Sequence, residues 1–574
     1  MLLKSLVVLL LLITLSTTVI ARDVSVTIEN GQINGRTQTF NGTELEVYLG
    51  IPYAEPPVGA LRFRRPVSAR KWSKPFNAYQ WPNACPQQEF GLPTMYNKNR
   101  SEDCLQLNVF TANSSVTTNP KPVMVWIHGG AFIMGSSSEM RYNLSVLATM
   151  NVVVVSINYR LGMLGMLYTG TDDAPGNMAF WDQILALEWV HNNIRHFGGD
   201  PQRVTLFGQS AGSISVNTMI MSPKSRHLFK NAIAMSGSPL IHGMIAEPAM
   251  SLKYWLRQAK AVGCSTGNNH QSDNNSISDS NYKMSAKVIE CLRQIPANKL
   301  TENYTTFEIS GSVDPIFVID GTIYTGTVME MLERGEHKHN FSLMISNTED
   351  EGSILLASLV DSKIFNPFSP KNFTYGEAYD YLSNLSAGLS ANHPIDGQQV
   401  SRLYFTGLSN RTDRETLIGH IGIAYGDYLM TCPTIRFGRT LSAANKPTTG
   451  VAVYQYYYNS RLGNEPKEEV CTKWMGVCHG LDLWPVFGIP FLNKDKYADR
   501  EREISGQMMQ IFTNFAKFGN PGIVDNYKWP QFYSMDSHVI APYYEFSNQP
   551  NPVTNYKNDL KIDFCQYLWD SHNQ

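Results

Sequence analysis

The chain has 574 residues, of which 43% are hydrophobic and 17% charged, and its formal net charge is −2. That balance offers neither a basic face for a polyanion nor an acidic solvating tail, which excludes nucleic acid as a natural partner and favours a small molecule. A chain of this length buries a large core, and α/β folds of comparable size run as one domain.

At the N-terminus Lys4 precedes an unbroken apolar run from Leu6 to Ile13 and a small-residue stretch ending Val19-Ile20-Ala21. This is the pattern of a secretory signal cleaved after Ala21, so residues 1–21 are expected to be a signal peptide and 22–574 a single domain. The run falls short of the ~20 residues that a spanning helix needs. Neither a second long apolar run nor a C-terminal hydrophobic tail follows, so the mature protein is expected to be extracellular with no membrane anchor.

Further along, β-rich runs occur at Val123 to Ile127, Val152 to Ile157, Val204 to Phe207, Leu343 to Ser346 and Val451 to Tyr457. They alternate with helical patterns, the cadence of a mostly parallel sheet. Between the second and third, Phe180, Ile184, Leu187, Val190 and Ile194 recur at helical spacing and predict a crossover helix, with Trp181 and Trp189 as packing residues. Ser265 to Tyr282 is polar and reads as an exposed loop. The eight cysteines, Cys85, Cys104, Cys264, Cys291, Cys432, Cys471, Cys478 and Cys565, are even in number and can all pair in an oxidising compartment, although spacing alone selects no pairing. Sequons at Asn41, Asn99, Asn113, Asn143, Asn274, Asn303, Asn340, Asn372, Asn384 and Asn410 agree with a secretory route.

The stretch FGGDPQRVTLFGQSAG, Phe197 to Gly212, carries the strongest chemical signal. It ends in Gly-x-Ser-x-Gly after a buried strand and before the small-residue start of a helix, the context of a nucleophile elbow. Ser210 is therefore the candidate covalent nucleophile, with Gly208 and Gly212 allowing the chain to close around it. A serine hydroxyl needs a histidine base, and the histidine needs an acid that holds its tautomer, in the chain order Ser, acid, His. Backbone N–H groups from a glycine-rich loop must also face the developing oxyanion. Trp126-Ile127-His128-Gly129-Gly130-Ala131-Phe132 fits that loop.

With these residues in place the chain resembles the type-B carboxylesterase and cholinesterase family of α/β-hydrolases. The resemblance runs from about Val24 to Trp569. It rests on GIPYAEPPVGALRFRRP at 50–66, SEDCLQLNVF at 101–110, VMVWIHGGAF at 123–132, APGNMAFWDQILALEWVHNNIRHFGGDP at 174–201, the GQSAG elbow and WMGVCHGLDLWPVFG at 474–488. It implies an α/β fold with a large, mostly parallel central sheet and helices on both faces. It also implies Ser210 as nucleophile, Glu351 within Glu349-Asp350-Glu351 as acid, and His479 as base, with Gly130, Ala131 and Ala211 forming the oxyanion hole. His128 is assigned to shaping the glycine loop. Ala131 stands where glycine is commoner. The implied disulfides are Cys85 with Cys104, Cys264 with Cys291 and Cys432 with Cys565. Cys471 and Cys478 remain, either as a local pair before His479 or as two free thiols. Arg62 and Glu102 match a structural ion pair of the family.

Departures from the family pattern bear on substrate. Tyr96 aligns with the tryptophan whose face attracts a quaternary ammonium in choline-selective members, and a tyrosine holds a cation less well. Ile354 and Leu355 replace aromatic residues beside the acid. Gly311 and Val313 stand where bulky phenylalanines narrow the acyl pocket, and Gln209 replaces the glutamate usual before the serine in cholinesterases. The resulting expectation is a secreted serine esterase for small-molecule carboxylic esters, broad or apolar in preference, with no metal or organic cofactor and with any homodimer noncovalent. Three other readings stay open: a true cholinesterase, a hormone or lipid esterase, and a noncatalytic adhesion or binding relative, which retention of all three triad residues disfavours.

Overall fold

A computed structural model describes residues 21–88, 95–112, 114, 118–265, 283–302, 313–389, 395–443, 450–461, 471–535, 538–547, 555–565 and 569. The signal segment up to residue 20, Gly311, nearly all of the polar stretch 265–282 and the sequons at Asn113, Asn274 and Asn303 lie outside the described residues.

Among the described residues thirteen strands join into one twisted mixed sheet. In chain order they are β1 (Asp23–Ile28), β2 (Gly31–Phe40), β3 (Thr43–Pro52), β4 (Phe76–Asn77), β5 (Gln106–Thr111), β6 (Lys121–Ile127), β7 (Val153–Ile157), β8 (Gly199–Gln209), β9 (Asn231–Met235), β10 (Ser342–Thr348), β11 (Ala452–Asn459), β12 (Pro542–Ser547) and β13 (Tyr556–Asn558). Their spatial order is β1-β2-β3-β5-β7-β6-β8-β9-β10-β11-β12-β13, with β4 paired to β2. The block from β7 through β12 is parallel, while β1, β2, β3 and β5 form an antiparallel flank that meets it at β7. Strands covered on both faces read as continuous apolar runs, and Val123–Ile127 and Val153–Ile157 are buried throughout. Each of the five predicted strands is present. The strand expected over Val204 to Phe207 extends through Gly199–Gln209, because Gly199 pairs with Lys121 across an irregularity that polar residues 200–203 conceal from a hydrophobic scan.

The expected crossover helix, α1 (Met178–Asn193), links β7 to β8. Trp189 is buried in the core, and half-buried Trp181 carries the Arg65 guanidinium over its ring at 4.4 Å. Helix α2 (Ala211–Met221) is buried along its whole length. Helix α3 (Glu351–Leu355) begins three residues beyond β10 and packs on α4 (Arg414–Gly426), and α5 (Asp499–Phe518) lies against β6 and β8. Because the central strands run parallel, their carboxyl ends lie together at one edge, the usual position of a site in an open α/β sheet.

All eight cysteines are paired: Cys85–Cys104, Cys264–Cys291, Cys432–Cys565 and Cys471–Cys478. Arg62 grips Glu102 through Nε at 2.7 Å and Nη2 at 2.5 Å, and its Nη1 donates to the carbonyls of Arg293 and Ile295. Among the described residues no helix is long and apolar enough to cross a membrane.

Candidate active site

Ser210 sits between the last residue of β8 and the first of α2 with φ 59° and ψ −126°, a conformation that L-residues rarely adopt. The geometry persists because the surroundings leave little alternative. The Ser210 N–H donates to the Met235 carbonyl at 2.9 Å, and the Ser210 carbonyl accepts from Ile214 in the first turn of α2. A Cβ on Gly208 would fall 2.4 Å from the Gly212 carbonyl oxygen, and one on Gly212 would fall 2.0 Å from that of Ile127. Two glycines are thus required for strand, turn and helix to fold back on each other. Strain of this kind, enforced by neighbours, is concentrated where function needs it.

The loop after β6 faces the same turn. Gly129 must lack a side chain, since a Cβ there would lie 2.6 Å from the Gln209 carbonyl oxygen and 3.0 Å from Ser210 Cβ. Gly130, at φ 111°, accepts through its carbonyl from the N–H groups of Ile133 and Met134, and Ala131 and Phe132 follow with φ of 52° and 59°. Phe132 anchors the loop edge-on against Phe317 and Phe180, which stack on each other with centroids 4.4 Å apart. His128 is buried. Its Nδ1 donates to the Gly129 carbonyl at 2.8 Å, its ring stacks on Tyr159, and the Tyr159 hydroxyl donates to its carbonyl. Burial pushes its pKa down to about 4, so the His128 ring is neutral near pH 7. Ala211 opens α2, where a backbone N–H has no partner within the helix.

Opposite, Glu351 Oε2 accepts from His479 Nδ1 at 2.5 Å, and its Oε1 accepts from the Thr348 N–H at 2.8 Å and from Asn347 Nδ2 at 3.3 Å. Burial alone would raise the Glu351 pKa; the His479 charge and the hydrogen bonds outweigh it and hold the carboxyl below its ordinary value. Of the three consecutive acids, then, Glu351 is the one on the histidine. Asp350 instead accepts from the Val477 N–H at 2.7 Å, and half-buried Glu349 is pushed up to about 7 by burial and the Asp350 charge.

At the other ring nitrogen, His479 Nε2 lies 3.0 Å from Nε2 of Gln209, which donates the hydrogen bond there. Sequence reasoning treated Gln209 only as a missing charge. It also passed over Asp482, three residues after His479. Asp482 is fully buried; Oδ2 accepts from the Tyr456 hydroxyl at 2.9 Å while Oδ1 has no partner. Burial, reinforced by the nearby Glu351 charge, pushes its carboxyl up to about 7. The signal available was the i, i+3 spacing of an acid after the histidine.

Of the residues expected to shape the substrate pocket, Ile354 and buried Leu355 lie on α3, the helix that Glu351 opens. Val313 is half-buried against Gly243, whose Cβ would fall 2.8 Å from the Val313 carbonyl. Tyr96 is 40% exposed, stacks on Trp81 with centroids 4.8 Å apart, and receives a hydrogen bond on its hydroxyl from Asn143. Its N–H donates to the Ser138 carbonyl, which ties it to the segment following the glycine loop. Among the described residues no group of three or more His, Cys, Asp or Glu side chains is arranged to hold a metal ion.

A strained serine at a strand-to-helix turn, a glycine loop beside it and a Glu–His pair on the same sheet edge define the class of serine carboxylic ester hydrolases with an α/β-hydrolase fold. Comparison with known proteins agrees. The Carboxylesterase family matches residues 22–565, and the chain belongs to that family. It is 33% identical to an acetylcholinesterase of Danio rerio, over 96% of this chain and 88% of that protein. It is 32% identical to an acetylcholinesterase of Bungarus fasciatus, over 87% and 79%, and 30% identical to one of Leptinotarsa decemlineata, over 91% and 82%.

Proposed function

We propose that the protein is a secreted esterase that hydrolyses small carboxylic esters of broad or apolar character through an acyl-enzyme on Ser210. The observation that carries this reading is the strained Ser210 elbow, whose neighbour Gln209 reaches His479 Nε2 at 3.0 Å, with His479 Nδ1 committed to Glu351. His479 Nε2 takes the Ser210 proton as Oγ attacks the ester carbonyl, and Glu351 stabilises the imidazolium. The backbone N–H groups of Gly130, Ala131 and Ala211 receive the oxyanion. Collapse of the tetrahedral intermediate breaks the ester C–O bond, and the alcohol leaves with the proton from His479. Water then loses a proton to His479 as it attacks the acyl-serine, and the second intermediate collapses to the acid while His479 returns the proton to Ser210 Oγ.

Secretion is supported by the N-terminal signal pattern, by four disulfides and by sequons at Asn41, Asn99, Asn340, Asn372, Asn384 and Asn410, which are exposed. With every cysteine paired inside the chain, a homodimer would form without an intersubunit disulfide. The preference for uncharged esters is supported by a neutral amide at Gln209 and by Ile354 and Leu355 beside the acid. A second reading, hydrolysis of choline esters, is favoured by the names of the relatives and by the exposed aromatic face of Tyr96 stacked on Trp81.

The test is p-nitrophenyl butyrate hydrolysis by the purified protein with Ser210→Ala as blank. Turnover that disappears in the variant is expected, and no turnover by the folded parent on this ester, naphthyl acetate or acetylthiocholine overturns the reading. The ratio of acetylthiocholine to naphthyl ester turnover separates the two substrate preferences.

A further inference from the structure

At the amino ends of the parallel strands, the opposite edge of the sheet from Ser210, lies a cavity of about 400 Å³. Asn340 and Ser342 line it where β10 begins, Lys230 just ahead of β9, Gly450 just ahead of β11, and Lys517 with Phe518 at the end of α5. Asn340-Phe341-Ser342 is a sequon, so the asparagine that would bear a sugar belongs to the cavity's own wall.

Asn340 takes φ 52° in the turn leading into β10, a left-handed conformation that asparagine tolerates better than most residues. Its carbonyl accepts from Lys230 Nζ at 2.8 Å, which secures the turn. The residue is exposed, and a Cβ on Gly450 would fall 2.4 Å from Asn340 Oδ1, so glycine leaves the carboxamide its place. Among the described residues Nδ2 of Asn340 has no hydrogen-bond partner, whereas Asn143, in another sequon, commits its Nδ2 to the Tyr96 hydroxyl. Phe518 is 70% exposed. A solitary exposed phenylalanine needs no explanation, but this one shares a cavity with a sequon asparagine. A pyranose ring presents C–H groups on its faces and polar groups around its edge. Its face suits the electron-rich face of an aromatic ring, and its edge takes hydrogen bonds. Lys517, with no ion-pair partner among the described residues, offers donors from the same wall.

We infer that Asn340 carries an N-linked glycan and that its first sugar seats in this cavity against Phe518. The inference rests on the secretory reading and not on the esterase one. In the transfer, Nδ2 gives up a proton to the transferring enzyme and bonds to the anomeric carbon of a lipid-linked oligosaccharide, whose bond to the lipid pyrophosphate breaks. The sugar is added to the chain before β10 forms, so the later pairing of Ser342 with its neighbours is no obstacle. Folding then closes α5 and the strand ends around a ring already in place. This assigns the exposed end of α5 a cover, at a distance from the catalytic edge.

The experiment uses the full chain secreted from cultured eukaryotic cells. Glycans are released by peptide N-glycosidase in heavy-oxygen water, which marks each freed asparagine, and the peptides are followed by mass spectrometry on native and on denatured protein. Asn340 is expected to be marked, with native release roughly 2- to 10-fold slower than at the other occupied sequons, the scale of one aromatic contact that must open first. Denaturation should abolish the difference. In Phe518→Ala the asparagine should stay occupied and lose its protection. A bare Asn340 among occupied sequons overturns the inference alone, as does native release at the rate of the other sequons or protection unchanged in Phe518→Ala. Bare asparagines at every sequon sink the secretory reading and the inference with it. If Phe518→Ala is not secreted, Phe518→Gln, a good helix former without a ring, decides it by the same loss of protection.

Discussion

Asp350 and Val477 exchange two hydrogen bonds across a separation of 127 residues, the Asp350 N–H to the Val477 carbonyl at 3.0 Å and the Val477 N–H to Asp350 Oδ2 at 2.7 Å. This clamp fastens the backbone on either side of the Glu351–His479 contact, so both partners are delivered by one rigid join. Gly476 permits it, since at φ 61° a Cβ there would fall 2.0 Å from Asp350 Oδ2.

Asp350→Ala is expected to lower kcat by about 10- to 100-fold with little change in KM, the scale on which small displacements of a catalytic group act. Asp350→Asn keeps an acceptor oxygen for Val477 and should recover most of the loss. Steady-state kinetics of the two variants decide it: equal loss in both points to the charge, and parental kcat in the alanine variant removes the clamp from the mechanism.

The Cys471–Cys478 bridge secures the same loop from its other side, ending one residue before His479. Closing a loop this short is worth about 2–3 kcal/mol in the chain-entropy account. The double Cys471→Ser, Cys478→Ser variant is expected to unfold at lower temperature and to lose kcat more than KM. Calorimetry alongside kinetics checks both, and unchanged kcat at reduced stability would show that the bridge acts on the fold alone.

Buried Asp482 makes stability depend on pH. Its carboxyl, pushed up to about 7, holds in the folded protein a proton that the unfolded chain releases near the ordinary carboxylate value. That contribution is present in acid and is lost as pH rises toward about 7. Asp482→Asn mimics the protonated form and keeps an acceptor for Tyr456. The gain in melting temperature over the parent should be larger at pH 8 than at pH 4, whereas an equal gain at both would mean that the carboxyl does not hold its proton.

His128, neutral because burial depresses its pKa to about 4, is expected to affect rate without setting the pH profile. His128→Asn loses the ring stacked on Tyr159 and should lower kcat about tenfold by loosening the glycine loop, an effect on positioned donors. The midpoint of the rising limb should not move. A shifted midpoint would place His128 in the proton transfer.

Much of this was legible beforehand where chemistry is written locally. The apolar runs of β6, β7, β8, β10 and β11 announce themselves because parallel strands are apolar on both faces, and the Ser210 elbow carries its glycines with it. The antiparallel flank is harder to see: Gly31–Phe40 alternates polar and buried positions, with one face to solvent. Least visible are partners far apart in the chain. Gln209 and His479 are separated by 270 residues, and nothing in Gly-Gln-Ser-Ala-Gly shows that the glutamine amide lies against the imidazole. The Asp350 clamp was hidden likewise, since choosing Glu351 among three adjacent acids by family pattern says nothing of what the other two hold.

The disulfide pattern divides the molecule in a way the sheet does not. Two bridges close before residue 292 and two open only at Cys432, so no covalent cross-link passes over the interval 292–431. Ser210 belongs to one side and His479 to the other. A single protease cut in that interval would yield two fragments that part in denaturant without any reductant. Cuts in 265–290 or 433–564 would leave every piece attached until thiol is added. Nonreducing electrophoresis of a sample nicked within 265–564 therefore separates a cut in 292–431 from one beneath a bridge, and a protein nicked in 292–431 that remains active keeps its nucleophile and base together through noncovalent packing alone.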